Sequence, residues 1–150
     1  MGNICRSPAA EGLFIEHVRR AGHADRFHID SAGTLDYHTG SLPDPRMQEV
    51  AARRGYALQS RARQVNKHDL EKFDLVLAMD QQNLDELQQL AGGPREHVRL
   101  FGSFLIPAGG IAPPIPDPYT GGMRDFEKVL DMIELACPAL LAHCLTIRHI

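Results

Sequence analysis

Met1-Gly2-Asn3-Ile4-Cys5-Arg6-Ser7-Pro8 opens the chain and runs directly into the helical stretch beginning at Ala9. Gly2 and Asn3 tolerate the positive φ angles that turn successive backbone N–H groups toward one point. Arg6 adds a planar fork of donors, and Ser7-Pro8 is a favourable helix opening. A loop of this kind at a helix N-terminus gathers unpaired amides and the positive end of the dipole around one oxyanion. Residues 2–7 are therefore the candidate phosphate-binding residues, with Arg6 able to make a bidentate contact. Ser7-Pro8 alone is equally compatible with an ordinary helix cap.

Working outward, apolar positions Ala10, Leu13, Phe14, Val18 and Ala21, with His17 among them, fall at i, i+3, i+4, i+7, i+8 and i+11 and predict a helix over 8–21, stopped by Gly22. His17 reads as a histidine at the edge of the core. Residues 27–31 alternate as a short strand that leads into Ser31-Ala32-Gly33. Asp44 before Pro45 predicts a capped helix closed by Gly55, with Met47, Val50 and Ala51 facing inward. Asn66 and Asp69 form a capping pair for a short helix ending near Lys72. Residues 74–79 form an apolar run bounded by acids, the pattern of a parallel strand covered on both faces. Asp80 is placed to cap a helix over 81–90, a strand follows at 98–102, and 107–118 is a Pro- and Gly-rich loop. The last helix spans about 123–145 and contains Pro138, which predicts a kink.

The second chemical motif is Pro116-Asp117-Pro118-Tyr119. An Asp between two prolines sits on a restricted backbone and is a poor helix cap, so its carboxyl is offered at a defined place. That suits a general acid, although Asp-Pro alone is also an ordinary turn.

At 150 residues the chain suits one domain, 1–150, and can bury roughly 68–70% of its unfolded surface. Sixteen Lys and Arg against 19 Asp and Glu give a net charge of −3, so the long-range field does not favour nucleic acid or an anionic membrane. Three cysteines, odd in number and not at metal spacing with His, predict reduced thiols and a cytoplasmic location. Cys137 and Cys144, seven apart on one helix, stand ~10.5 Å apart along its axis, too far for a disulfide. No apolar run reads as a membrane span and no signal sequence opens the chain. Met1-Gly2 invites a myristoylation reading, but position 6 is Arg where Ser or Thr is required.

Gly2-Asn3-Ile4-Cys5-Arg6-Ser7-Pro8 followed by Ala10-Glu11-Gly12, together with Asp30-Ser31-Ala32, Ala62-Arg63-Gln64, Met79-Asp80 and Asp117-Pro118-Tyr119, resembles the low-molecular-weight protein tyrosine phosphatases over almost the whole chain. The resemblance implies a single three-layer α/β domain whose parallel sheet has the order 2-1-3-4. It also implies hydrolysis of phosphotyrosine or small aryl phosphates through a cysteinyl phosphate, with inorganic phosphate released and no metal or cofactor. In the roles it implies, Arg6 and Asp117 are catalytic, Tyr37 and Tyr119 wall the substrate cleft, and Ser31 and Asp80 support the loop. The family loop reads Cys-x5-Arg with the nucleophile first, and that position falls one residue ahead of Met1. Cys5 matches the family's second loop cysteine. Ser60 stands where relatives often carry His.

Two expectations follow from that offset. Met1 is an internal methionine of a longer protein whose preceding residues supply an apolar strand and the nucleophilic Cys. Without that central strand, the strands at 27–31 and 74–79 stand about 9.6 Å apart, twice the usual spacing, with unpaired backbone and an uncovered core. Two other functions fit the same loop: an arsenate reductase, which relays oxidation through further cysteines near the site, and a non-catalytic phosphate or phosphotyrosine binding module.

Overall fold

The computed structural model describes residues 2–106 and 110–147; Met1, the first three residues of the 107–118 loop and residues 148–150 lie outside it. Helix α1, Arg6–Arg20, begins two residues ahead of the expected start. Its N-cap is Cys5, which makes no side-chain cap, so Ser7 is not the capping residue. Pro8 sits inside the first turn at no cost because the amide it lacks would have had no helical partner. Helix α2, Pro45–Arg53, is capped by Asp44, and α3, Lys67–Lys72, carries the reciprocal Asn66–Asp69 capping box.

Strand β1, Val76–Ala78, pairs in parallel with β2, Val98–Leu100, in the register Val76 to Val98. Between them α4, Gln81–Ala91, starts on the Asp80 carboxylate and stops at Gly92, whose φ is 82°. Side chains of the β1 region alternate between two cores. Leu75, Leu77 and Met79 pack with the cluster built on α1, α2 and the C-terminal helix, whereas Val76 and Ala78 pack with Leu70, Leu87 and Ala91 of α3 and α4. The doubly covered strand is thus realised as helix, sheet and helix layers. β2 ends at Leu100, short of the expected Gly102, and residues 101–105 turn into a 3-10 helix. Ser103 donates to the Leu100 carbonyl at 2.7 Å, a local bond that competes with strand continuation.

The C-terminal helix α5, Met123–Ile147, continues through Pro138 as one element. By length and composition it could cross a membrane. That corrects the expectation that no run reaches such a length; its stripe Phe126, Val129, Leu130, Ile133, Ala136, Cys137 and Leu140 is buried in the core.

The strand expected at 27–31 forms no ladder. Among the described residues its neighbourhood contributes only the isolated parallel bridge between Gly33 and Gln64, and the sheet has two strands in the order β1-β2. Among the described residues no strand lies beside 27–31. A groove of about 680 Å³ is walled by residues 27–34 and 74–79, with Ala10 and Phe14 of α1 and Leu140 and Cys144 of α5 also lining it. Extended backbone with no adjacent strand has no ladder to join. Both walls lead to the opening loop: Ser31 accepts from Asn3, and Asp80 pairs with Arg6.

Candidate active site

Asn3 organises the opening loop. Its φ of 63° is the only positive value among described non-glycine residues, and its side chain is almost fully buried. The amide Nδ2 donates to Ser7 Oγ at 2.8 Å and Ser31 Oγ at 3.0 Å, while Oδ1 accepts the Arg63 backbone N–H at 3.1 Å. These bonds offset the cost of the left-handed backbone. Ser60 is not among these partners; Ser31 Oγ in turn donates to Glu11 Oε1. A Cβ at Gly2 would stand 2.7 Å from His38 Cδ2, so a side chain there would displace the imidazole from the mouth of the loop. The backbone amides of Ile4, Cys5 and Arg6 make no hydrogen bond to another described residue, which leaves them available to an anion.

Arg6 is buried beneath this loop. Nη1 donates to Asp80 Oδ2 and to the Ile115 carbonyl, both at 2.7 Å, and Nη2 approaches Asn83 Oδ1 at 3.5 Å. Burial alone would raise the Asp80 pKa, but the Asn83 N–H and the Arg6 guanidinium outweigh it and hold the carboxyl below its ordinary value. Asp80 therefore does two things at once, capping α4 and fixing the guanidinium. Nε of Arg6 makes no bond among the described residues and remains for a ligand.

The proline-flanked segment reaches the same place. Ile115, fully buried, donates its N–H to the Met79 carbonyl at 2.8 Å at the end of the β1 segment, and Pro118 is also buried. Asp117 between these anchors is exposed, and its Oδ1 accepts the Tyr119 N–H at 3.1 Å. One cleft of about 200 Å³ is lined by all six loop residues together with Leu35, Tyr37, His38, Asp117 and Tyr119. Residues 6 and 117 thus face one cavity, although 110 positions separate them in the sequence. Ser31 and Asp80 stand behind it.

A sequence model described as low molecular weight phosphotyrosine protein phosphatase matches residues 1–147. The chain belongs to that family. A low molecular weight protein-tyrosine-phosphatase of Streptomyces coelicolor is 43% identical over 143 residues, covering 94% of this chain and 87% of that protein. Protein-tyrosine phosphatase A of Mycobacterium tuberculosis is 41% identical over 139 residues, covering 93% and 84%. The crystal structure of a protein tyrosine phosphatase from Entamoeba histolytica with Hepes in the active site superposes with a TM-score of 0.87 at 36% identity, covering 97% of this chain and 93% of that one.

Within a phosphatase of this family, Cys5 is a poor candidate for an attacking thiolate. Burial, followed by the Asp44 and Asp117 charges, pushes its pKa from 9.0 up to about 12. Three pKa units correspond to roughly a thousandfold less thiolate than an ordinary cysteine presents at neutral pH. Cys5 is accordingly expected to react with iodoacetamide about a thousandfold more slowly than free cysteine, and after Cys144, whose pKa is raised only to about 11. Mass-spectrometric mapping of a timed alkylation gives the order; early labelling of Cys5 would show an exposed, activated thiol.

Sequence reasoning missed Arg46, His38, Asn83 and Ile115. Asn83 and Ile115 act through an amide oxygen and a backbone carbonyl, which carry no motif. His38 lay in a loop without periodicity. Arg46 follows the Asp44-Pro45 helix signal, which accounts for the helix start and so hides a second role.

Proposed function

We propose that this chain carries the anion site and general acid of a protein tyrosine phosphatase acting on phosphotyrosine and small aryl phosphates. The observation that carries the reading is the cleft shared by the opening loop, Arg6 and Asp117. In a chain with a cysteine directly ahead of Met1, the thiolate sulfur attacks phosphorus and the bond from phosphorus to the phenolic oxygen breaks. Loop amides and Arg6 balance the charge of the transferring phosphoryl group, while Asp117 gives its proton to the departing phenolate. Water then attacks the cysteinyl phosphate, the Asp117 carboxylate takes the water's proton, the phosphorus–sulfur bond breaks, and inorganic phosphate leaves with the thiolate restored. Tyr37 and Tyr119, exposed at the cleft mouth, offer flat walls to an aryl ring. Ser31 and Asp80 hold Asn3 and Arg6 in place.

The test uses the chain with an apolar strand ending in Cys added ahead of Met1. It is expected to release phosphate from phosphotyrosine at least about a hundredfold faster than from phosphoserine. Phosphate binding without any hydrolysis would favour a non-catalytic module, and thiol-dependent arsenate reduction in place of hydrolysis would favour a reductase.

A further inference from the structure

Asp44 and Arg46 occupy the cap and first turn of α2, a helix outside the two chemical motifs. Asp44 is buried, and its backbone N–H donates to the Ile4 carbonyl of the anion loop at 2.7 Å. Its carboxylate receives a two-pronged contact from Arg46, Nε to Oδ1 at 3.0 Å and Nη2 to Oδ2 at 2.8 Å. The same Nη2 donates to the Tyr119 carbonyl at 2.9 Å, and Nη1 reaches the Gly121 carbonyl at 3.5 Å. The guanidinium lies over the Phe126 ring at 4.6 Å and the Tyr119 ring at 5.5 Å. Tyr119 in turn donates its N–H to Asp117. An unbroken series of bonds therefore runs from the backbone of the anion loop, through one ion pair, to the carboxyl of the candidate acid.

Capping alone does not call for this arrangement. Asp44 already satisfies the helix end through the Arg46 backbone N–H at 2.8 Å, and an arginine at that position is free to extend into solvent. Instead its planar fork is spent on a buried carboxylate and on two carbonyls of a loop more than 70 residues away. Those carbonyls belong to the segment between Asp117 and the start of α5. Its other contacts are the buried Pro118, the local bonds from Tyr119 N–H to Asp117 and from Gly121 N–H to Pro118, the Gly122–Asp125 cap and a ring contact of Tyr119 with His38, so that Arg46 supplies its hydrogen bonds to a distant helix. The Arg46 bonds hold the Asp44 carboxyl below its ordinary value, so the pair stays ionised.

The geometry points to Arg46, anchored by Asp44, as a positioning residue that sets the distance between the anion loop and Asp117. It does not touch substrate; it acts through the Tyr119 backbone. This rests on the phosphatase reading, because a positioned acid matters only where a leaving group needs its proton. A loop free to move by about 1 Å loses up to roughly a hundredfold in rate.

The decisive experiment is a double-mutant cycle in the hydrolytically competent chain, which carries the Cys-terminated strand ahead of Met1. Arg46→Ala is expected to lower kcat for phosphotyrosine about 10- to 100-fold with KM changed less than about threefold, and to cost nothing further in an Asp117→Asn background. Asp44→Asn, which keeps a capping oxygen while removing the charge, is expected to give an intermediate loss. Equal losses from Arg46→Ala in both backgrounds would reduce Arg46 to a structural prop and overturn the proposal, as would an unchanged kcat. A readout independent of catalysis is amide hydrogen exchange at Tyr119 and Gly121 in the 150-residue chain. Arg46→Ala should speed it about tenfold while inorganic phosphate affinity stays within about twofold; unchanged exchange would break the link to the loop even if the parent hydrolyses.

Discussion

An apolar strand of about six β-branched residues added ahead of Met1 is expected to raise the melting temperature by about 10 °C, whether it ends in Ser or in Cys, while only the Cys form gains turnover. The expectation starts from the groove walled by residues 27–34 and 74–79. Among the described residues no strand pairing joins the two walls, and side chains of α1 and α5 line the space. An inserted strand would pair with both walls and bury its side chains against Phe14, Leu75, Leu77 and Leu140. Each fully buried aliphatic side chain contributes about 1.5–3 kcal/mol, against about 1–2 kcal/mol of backbone ordering per residue, with ladder bonds adding to the balance. A net gain of about 3–4 kcal/mol moves the melting point of a 150-residue protein by roughly 10 °C. The parallel walls both end at the anion loop, so a residue closing the strand is delivered there. A thiol at that point meets free amides and the helix dipole, conditions that lower a thiol pKa, in contrast to the buried Cys5. Differential scanning calorimetry and a p-nitrophenyl phosphate assay read the two effects separately. Turnover by the Ser form equal to the Cys form would place the nucleophile elsewhere, and an unchanged melting point in both would mean the groove is not a strand acceptor.

The parts of this fold that were legible in the sequence are those whose signals are local. Asp44-Pro45, the Asn66–Asp69 pair and Asp80 each mark a helix start through a side chain reaching its own backbone, and all three caps are made. The continuous apolar run at 74–79 was readable as a strand covered on both faces because each of its two faces meets an apolar layer, Leu75, Leu77 and Met79 one and Val76 and Ala78 the other. What local pattern cannot carry is whether a neighbour exists. Residues 27–31 have a strand's composition but no ladder, because a strand is completed by a partner. The site divides in the same way. Gly2, Asn3 and Arg6 were singled out by residue type and spacing, whereas Asp117, whose prolines alone also fit an ordinary turn, was singled out by the family resemblance; the structure brings all four to one cleft. Contacts made by backbone carbonyls, Ile115 to Arg6 and Tyr119 to Arg46, leave no mark on residue identity, so the clamp on the acid loop had to be seen in three dimensions.

Asp117→Asn in the strand-completed chain is expected to lower kcat for phosphotyrosine by about 10²- to 10⁴-fold, the range ordinarily lost with a general acid. Asn keeps the size of the side chain and an oxygen to accept the Tyr119 N–H, so the loop geometry is retained and the deliverable proton is what disappears. Because residue 117 is exposed and lies outside the buried core, the melting temperature should stay within about 2 °C. The loss should depend on the leaving group. A tyrosine phenolate, with a conjugate acid of pKa ≈ 10, departs poorly without a proton, whereas p-nitrophenolate is a weaker base and needs less help. The penalty for p-nitrophenyl phosphate should therefore be about tenfold smaller than for phosphotyrosine, and release of p-nitrophenol should show a burst as hydrolysis of the cysteinyl phosphate, which also needs the carboxylate, becomes slow. Equal penalties for both esters would argue that residue 117 shapes the cleft rather than supplying a proton. An undiminished kcat would remove it from the chemistry and leave the Arg6 cradle without an acid.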